Sequence, residues 1–267
     1  MKRGKGKAFA IVTGIIAIAV VAIALVVARD RIIEAWYFSK LRSPDPKERG
    51  EAIEKLKRIG SVRALPILLE RLTSRENMID PENPRGHPVF ESYIALKAIE
   101  EIAAARRSLA APALREGLRV KSASLNDALA GMLADIGPGA IPSLSAGLRD
   151  PDPAFRARVT IVIGRIAAKS PADVPVLLEA LADPEKPVRW QAAKALEALG
   201  PRARFAVPAL ARALGDPDME IRYLTAKVLG QVGPPARPAA PALERALGDP
   251  VEDVRDAAAA SFKKIRG

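Results

Sequence analysis

Residues 183–217 read DPEKPVRWQAAKALEALGPRARFAVPALARALGDP, a stretch that opens and closes on Asp-Pro. The dipeptide stands at Asp150, Asp183, Asp216 and Asp249, each 33 residues after the last. An arginine follows six residues later each time: Arg156, Arg189, Arg222 and Arg255. A proline keeps the same step at Pro142, Pro175, Pro208 and Pro241. Three markers in one register mean a repeat array, because a period of 20–50 residues is the signature of stacked units.

Each unit reads as two helices. Asp183 is placed to cap the first, with Pro184 in the first turn, where its missing N–H costs nothing. Val188, Ala192, Ala195, Leu196 and Leu199 then recur at helical spacing. Gly200-Pro201 ends that helix, since glycine tolerates the left-handed position and proline cannot continue the turn. Val207, Leu210, Ala213 and Leu214 give the second helix one apolar face, with Pro208 near its start. Nothing alternates with period two, so the expected class is all-α.

The segments DPEKPVRWQAAKALEALGPRARFAVPALARALGDP and DPDMEIRYLTAKVLGQVGPPARPAAPALERALGDP resemble HEAT repeats, in the short HEAT-like form also found in phycobilisome lyases. The resemblance implies a right-handed α-solenoid. Upstream, Arg49, Ala52, Leu56 and Gly60 share the spacing of Arg189, Ala192, Leu196 and Gly200, and Asn126 stands where a third unit should carry arginine. A second unit is expected to place helices around 89–105 and 112–118. The array, residues 43–267, counts as about six helix pairs and a terminal half-repeat. The resemblance also implies that Asp150, Asp183, Asp216 and Asp249 and Arg156, Arg189, Arg222 and Arg255 form a structural ladder, each arginine bonding aspartate or loop carbonyls of a neighbouring unit.

In such arrays the second helices line the concave face. The position four after each second-helix proline then reads Glu70, Glu116, Ala146, Glu179, Arg212, Arg245, and the position before it Leu69, Arg115, Ser145, Leu178, Ala211, Glu244. The candidate partner-binding residues are therefore Arg115, Glu116, Leu178, Glu179, Arg212, Glu244 and Arg245. This column mixes charges. Phosphate binding needs Lys/Arg along one track, so a protein segment is the expected partner and nucleic acid is disfavoured. Binding of an acidic polymer, nucleic acid or anionic envelope material, by some other basic surface is the alternative.

The first 28 residues differ in kind. Lys2, Arg3, Lys5 and Lys7 crowd the tail 1–7, while all 31 acids lie after residue 28. Phe9 to Ala28 carries no charge, and twenty residues of helix span about 30 Å, the hydrocarbon thickness. A single-pass transmembrane helix over 8–28 is expected. A cleaved signal peptide is the rival, with Val26-Val27-Ala28 as a small-residue site. Residues 29–42 form a juxtamembrane or capping segment, in which Trp36, Tyr37 and Phe38 suit either a membrane interface or the open end of the first repeat. Basic residues nearly balance across the span; their density on the acid-free tail favours an inside N-terminus and a solenoid outside the cytoplasm, periplasmic in a double-membraned bacterium.

The largest break in the repeat is the insertion 73–88, TSRENMIDPENPRGHP, read as a loop. It holds His87, the single histidine, with Asp80, Glu82 and Asn83 nearby, at a spacing that matches no calcium loop. The chain has no cysteine, which excludes disulfides and thiolate zinc sites. Phosphate-loop, His-Glu-x-x-His and Gly-x-Ser-x-Gly motifs are lacking. The expectation is a non-enzyme without cofactor or metal.

Overall fold

The computed structural model describes residues 29, 31–73, 88–170 and 174–266. The expected span over 8–28, the tail 1–7, and His87, Asp80, Glu82 and Asn83 of the insertion lie outside the described residues. Among the described residues no helix is long and apolar enough to cross a membrane. The described chain is helical throughout and divides into two compact units, Met1–Glu101 and Ile102–Gly267.

In the first unit, residues 31–40 form α1, followed by α2 (Pro46–Ile59), α3 (Leu65–Thr73) and the beginning of α4 (Pro88–Gly117). The α1 segment closes over the first helix pair. Glu34 accepts hydrogen bonds from Ser61 Oγ and Arg63 Nη1, and the Leu41 carbonyl accepts one from Arg71 Nη2 at 2.7 Å. Leu41, Ile53, Leu56, Leu65 and Leu68 are fully buried in this unit.

The second unit continues through the rest of α4 into α5 (Ala123–Ile136), α6 (Ile141–Gly147), α7 (Pro153–Lys169), α8 (Val174–Leu181), α9 (Lys186–Leu199), α10 (Val207–Ala213), α11 (Met219–Val232), α12 (Ala240–Ala246) and α13 (Glu252–Arg266). Two helices were expected near 89–105 and 112–118, and α4 divides in that way: Arg106 and Arg107 leave helical geometry and separate a first helical limb from a second. Proline inside it, Pro112, falls at the start of the second limb, where a missing N–H is tolerated.

The longer helices α5, α7, α9, α11 and α13 stack as one layer, hereafter A, and the short helices between them form layer B. Two close approaches hold the A layer. A Cβ at Gly164 would stand 2.7 Å from the Ala195 Cβ, and one at Gly230 would stand 2.9 Å from the Ser261 Cβ. Charged pairs cross from one A helix to the next on its surface: Lys169 to Asp135 at 2.9 Å, Arg165 to Asp127 at 2.6 Å, Lys227 to Glu197 at 2.7 Å. All A helices therefore run in register and end along the same edge.

The aspartates of the 33-residue series, Asp150, Asp183, Asp216 and Asp249, do not cap the A helices, contrary to the expectation for Asp183. The caps lie two residues later: Asp152 and Asp218 accept from the amides of Ala154 and Glu220, and Glu185 occupies the position without a side-chain bond. The Asp-Pro carboxylate instead folds the preceding turn, accepting from its own i+2 amide at 2.9 Å in all four loops. Its geometry leaves both oxygens facing the neighbouring arginine.

Candidate functional site

The repeat's most regular polar residues are consumed by the fold. Arg156 Nε and Nη2 each donate to Asp183 at 2.8 Å; Arg189 reaches Asp216 at 2.7 and 3.1 Å; Arg222 reaches Asp249 at 2.7 and 2.9 Å. Each guanidinium also bonds the Asp and Pro carbonyls of its own loop through Nη1. Such a fork, two bonds to one carboxylate, is a geometry lysine cannot reproduce. Among the described residues Arg255 makes only the two carbonyl bonds, to Asp249 and Pro250.

Where the third unit has Asn126 in place of arginine, the amide donates to the Val120 carbonyl at 2.8 Å. Asp150 is served by Arg119 instead, which donates to both its oxygens and stacks 4.0 Å from the Phe155 ring centroid. The Arg119 fork holds the Asp150 carboxyl below its usual range, and Arg222 does the same for Asp249. At Asp183 burial pushes the carboxyl up, but the Arg156 fork and the Glu185 amide outweigh it and leave it lowered. Carboxylates lowered in the folded state add stability above their unfolded pKa, about 3.9, and lose it as pH falls through the folded value. The urea midpoint is therefore expected to hold from neutral pH to about pH 5 and to drop below about pH 4. A midpoint flat through that acid range would contradict the ladder's contribution.

The expected binding column separates into two groups. Glu179 on α8, Arg212 on α10 and Glu244 and Arg245 on α12 are exposed on B helices that pack side by side, and have no ion-pair partner among the described residues. Leu178 beside them is half-buried. Arg115 and Glu116 belong to a local network: Arg115 donates to the Ser143 carbonyl at 2.8 Å and to Glu116, which also accepts from Arg119. These two side chains join α4 to the next unit, so the open part of the column is its C-terminal half.

Two surfaces escaped the repeat logic. On the A layer, Trp190, Met219, Tyr223 and Leu224 line a recess of about 430 Å³ flanked by Lys194, Glu220 and Asp253. Trp190 and Tyr223 each follow a ladder arginine, 33 residues apart, a signal present in the sequence. In the first unit, Trp36 and Tyr37 of α1, residues of α2 and Ile94 line a recess of about 940 Å³, and Trp36 is 55% exposed. Groups of acidic or histidine side chains able to hold a metal are absent among the described residues.

Helix pairs stacked in register, tied by an arginine–aspartate ladder, define an α-solenoid repeat protein. The model of HEAT repeats matches residues 111–197 and 174–263, more than half of the sequence, and the chain belongs to the HEAT-repeat family. None of the curated proteins compared with it matches. Similar solved structures include the complex of CpcE and CpcF of phycocyanin lyase from Nostoc sp. PCC7120, 23% identical, covering 57% of this chain and 97% of that one, with a TM-score of 0.48. An engineered protein is 18% identical, covering 88% of this chain and 68% of its own, with a TM-score of 0.47. A designed armadillo repeat protein is 20% identical, covering 86% and 98%, with a TM-score of 0.41.

Proposed function

We propose that this chain is a membrane-anchored scaffold that holds a partner protein on its B-helix face and catalyses no reaction itself. One observation carries the reading: Glu179, Arg212, Glu244 and Arg245 stand exposed on neighbouring B helices with no ion-pair partner among the described residues, while the ladder charges are engaged within the fold. Charges of both signs beside the half-buried Leu178 suit a polypeptide better than a phosphate backbone, and complementary charge sets partner and register more than raw affinity. The non-catalytic reading rests on sequence, where no nucleophile–base motif appears.

The anchor is proposed at 8–28, with the solenoid outside the cytoplasm. The uncharged stretch Phe9 to Ala28 supports it, as do Ile32 and Trp36, exposed on the helix that follows. Tryptophan is favoured at the membrane–water interface. A compartment-sensitive reporter fused after Gly267 tests the arrangement. Activity outside the cytoplasm, on a chain that keeps its N-terminus in the membrane fraction, is the expected result. Activity inside would reverse the orientation, and a shortened soluble chain would replace the anchor by a cleaved leader.

A further inference from the structure

The second unit has two long edges of unlike character. Along one run the Asp-Pro loops, where acids and arginines pair with one another. Along the other run the turns that join each A helix to its B helix. There Arg106, Arg107, Arg202 and Arg204 are exposed with no acidic partner among the described residues, and Arg237 donates only to the carbonyls of Ile265 and Arg266. No acid occurs in the turns 106–109, 137–140, 200–206 and 234–239; between α7 and α8 the sequence carries Asp173, which lies outside the described residues. Asp135, in the last turn of α5, is held by Lys169. The last turn of α13 adds further basic residues to the same edge.

Two large apolar side chains stand among these arginines. Leu109 is 68% exposed and Phe205 is 60% exposed, each within three residues of an arginine pair. The Arg204 guanidinium lies 5.0 Å from the Phe205 ring centroid. The fold does not require them: both extend from turns, away from the core. An apolar residue flanked by basic residues matches a bilayer interface, where the apolar group enters the acyl boundary and the cations remain at anionic headgroups. A nucleic-acid track would favour cations alone or with stacking aromatics on a groove; leucine at an outer turn adds nothing there.

We propose that the A-to-B turn edge of residues 102–267 docks on an anionic membrane surface, with Phe205 and Leu109 entering the interface and the turn arginines at the lipid phosphates. The proposal rests on described residues alone and is independent of both the anchor and the B-helix partner. If the anchor is present, this edge orients the tethered solenoid and leaves the B-helix face open to a protein.

The chain has no cysteine, so single probe sites can be introduced cleanly. The full-length protein carries an environment-sensitive fluorophore at Pro201→Cys, on this edge, or at Glu185→Cys, on the opposite one; both positions are exposed. It is combined with phosphatidylcholine vesicles with or without phosphatidylglycerol. The expected result is a blue shift and quenching by doxyl-labelled lipid at 201 only, only with phosphatidylglycerol, and reversed by salt. Arg202→Ala with Arg204→Ala is expected to weaken the response by about 5-fold per charge, roughly 25-fold together, with the melting temperature unchanged. No response at 201, equal responses at 201 and 185, or a response indifferent to phosphatidylglycerol would overturn the proposal. So would a response at 201 to a DNA duplex but not to vesicles, which would assign the edge to nucleic acid. Resistance of the protein to carbonate extraction from phosphatidylcholine vesicles reports the anchor separately.

Discussion

Arg189→Ala is expected to destabilise the solenoid by about 3–5 kcal/mol, the cost of breaking a buried ion pair from one side. The Arg189 and Asp216 side chains are 11% and 6% exposed. The guanidinium serves four acceptors at once: both Asp216 oxygens and the carbonyls of Asp183 and Pro184. Its removal leaves Asp216 with only the Asp218 amide. Lysine should not rescue, because one ammonium cannot span a carboxylate and two carbonyls. Arg189→Ala combined with Asp216→Ala should cost less than the two singles added, since the double variant buries no unpaired charge. Arg255→Ala, which forfeits two carbonyl bonds and no carboxylate, should cost only about 1 kcal/mol. Urea unfolding of the five variants, the Asp216→Ala single and the lysine replacement included, checks this order. Equal losses at Arg189 and Arg255 would mean that the inter-repeat fork contributes nothing beyond its loop bonds.

Phe155→Ala should cost a similar amount, about 3–5 kcal/mol, and should act locally. Phe155 is fully buried at the repeat position that Val188, Ile221 and Val254 occupy in later units. The larger ring stands where the ladder is interrupted by Asn126, and Arg119 rests on it while binding Asp150. Truncation leaves a cavity and releases the side chain that substitutes for the missing ladder arginine. Because repeats contact chiefly their neighbours, the damage should stay near α5–α7. Hydrogen exchange is expected to accelerate there and to remain unchanged across α11–α13. Uniform acceleration along the array would instead indicate one cooperative unit.

The helix pairs were legible because two constraints coincide in the sequence: 33-residue spacing and helical apolar spacing within each unit. The role of the Asp-Pro aspartate was less so. An Asp before a proline and a helix reads as a cap, but the structure uses the carboxylate to fold the loop and receive an arginine, and moves the cap to Asp152 and Asp218. Arg119 could not be found by register, since it compensates for a break in the repeat from the turn that follows α4. The fate of Arg115 was hidden for the same reason: its bond is to the Ser143 carbonyl, which no side-chain pattern encodes. The basic turn edge was missed because its arginines sit at irregular offsets in turns of unequal length, as in Arg106-Arg107 and Arg202-Ala203-Arg204. They align only when the A helices stack.

Binding on the B-helix face is tested most directly by reversing its charges. Glu179→Lys with Arg212→Glu changes two exposed side chains that have no ion-pair partner among the described residues, so the melting temperature should stay within a few degrees of the parent. Affinity for the protein recovered with the parent chain from its own membranes is expected to fall at least about 10-fold, with the loss chiefly in dissociation rate. Unchanged affinity in the folded double variant would contradict the B-helix face as the site where a partner is held.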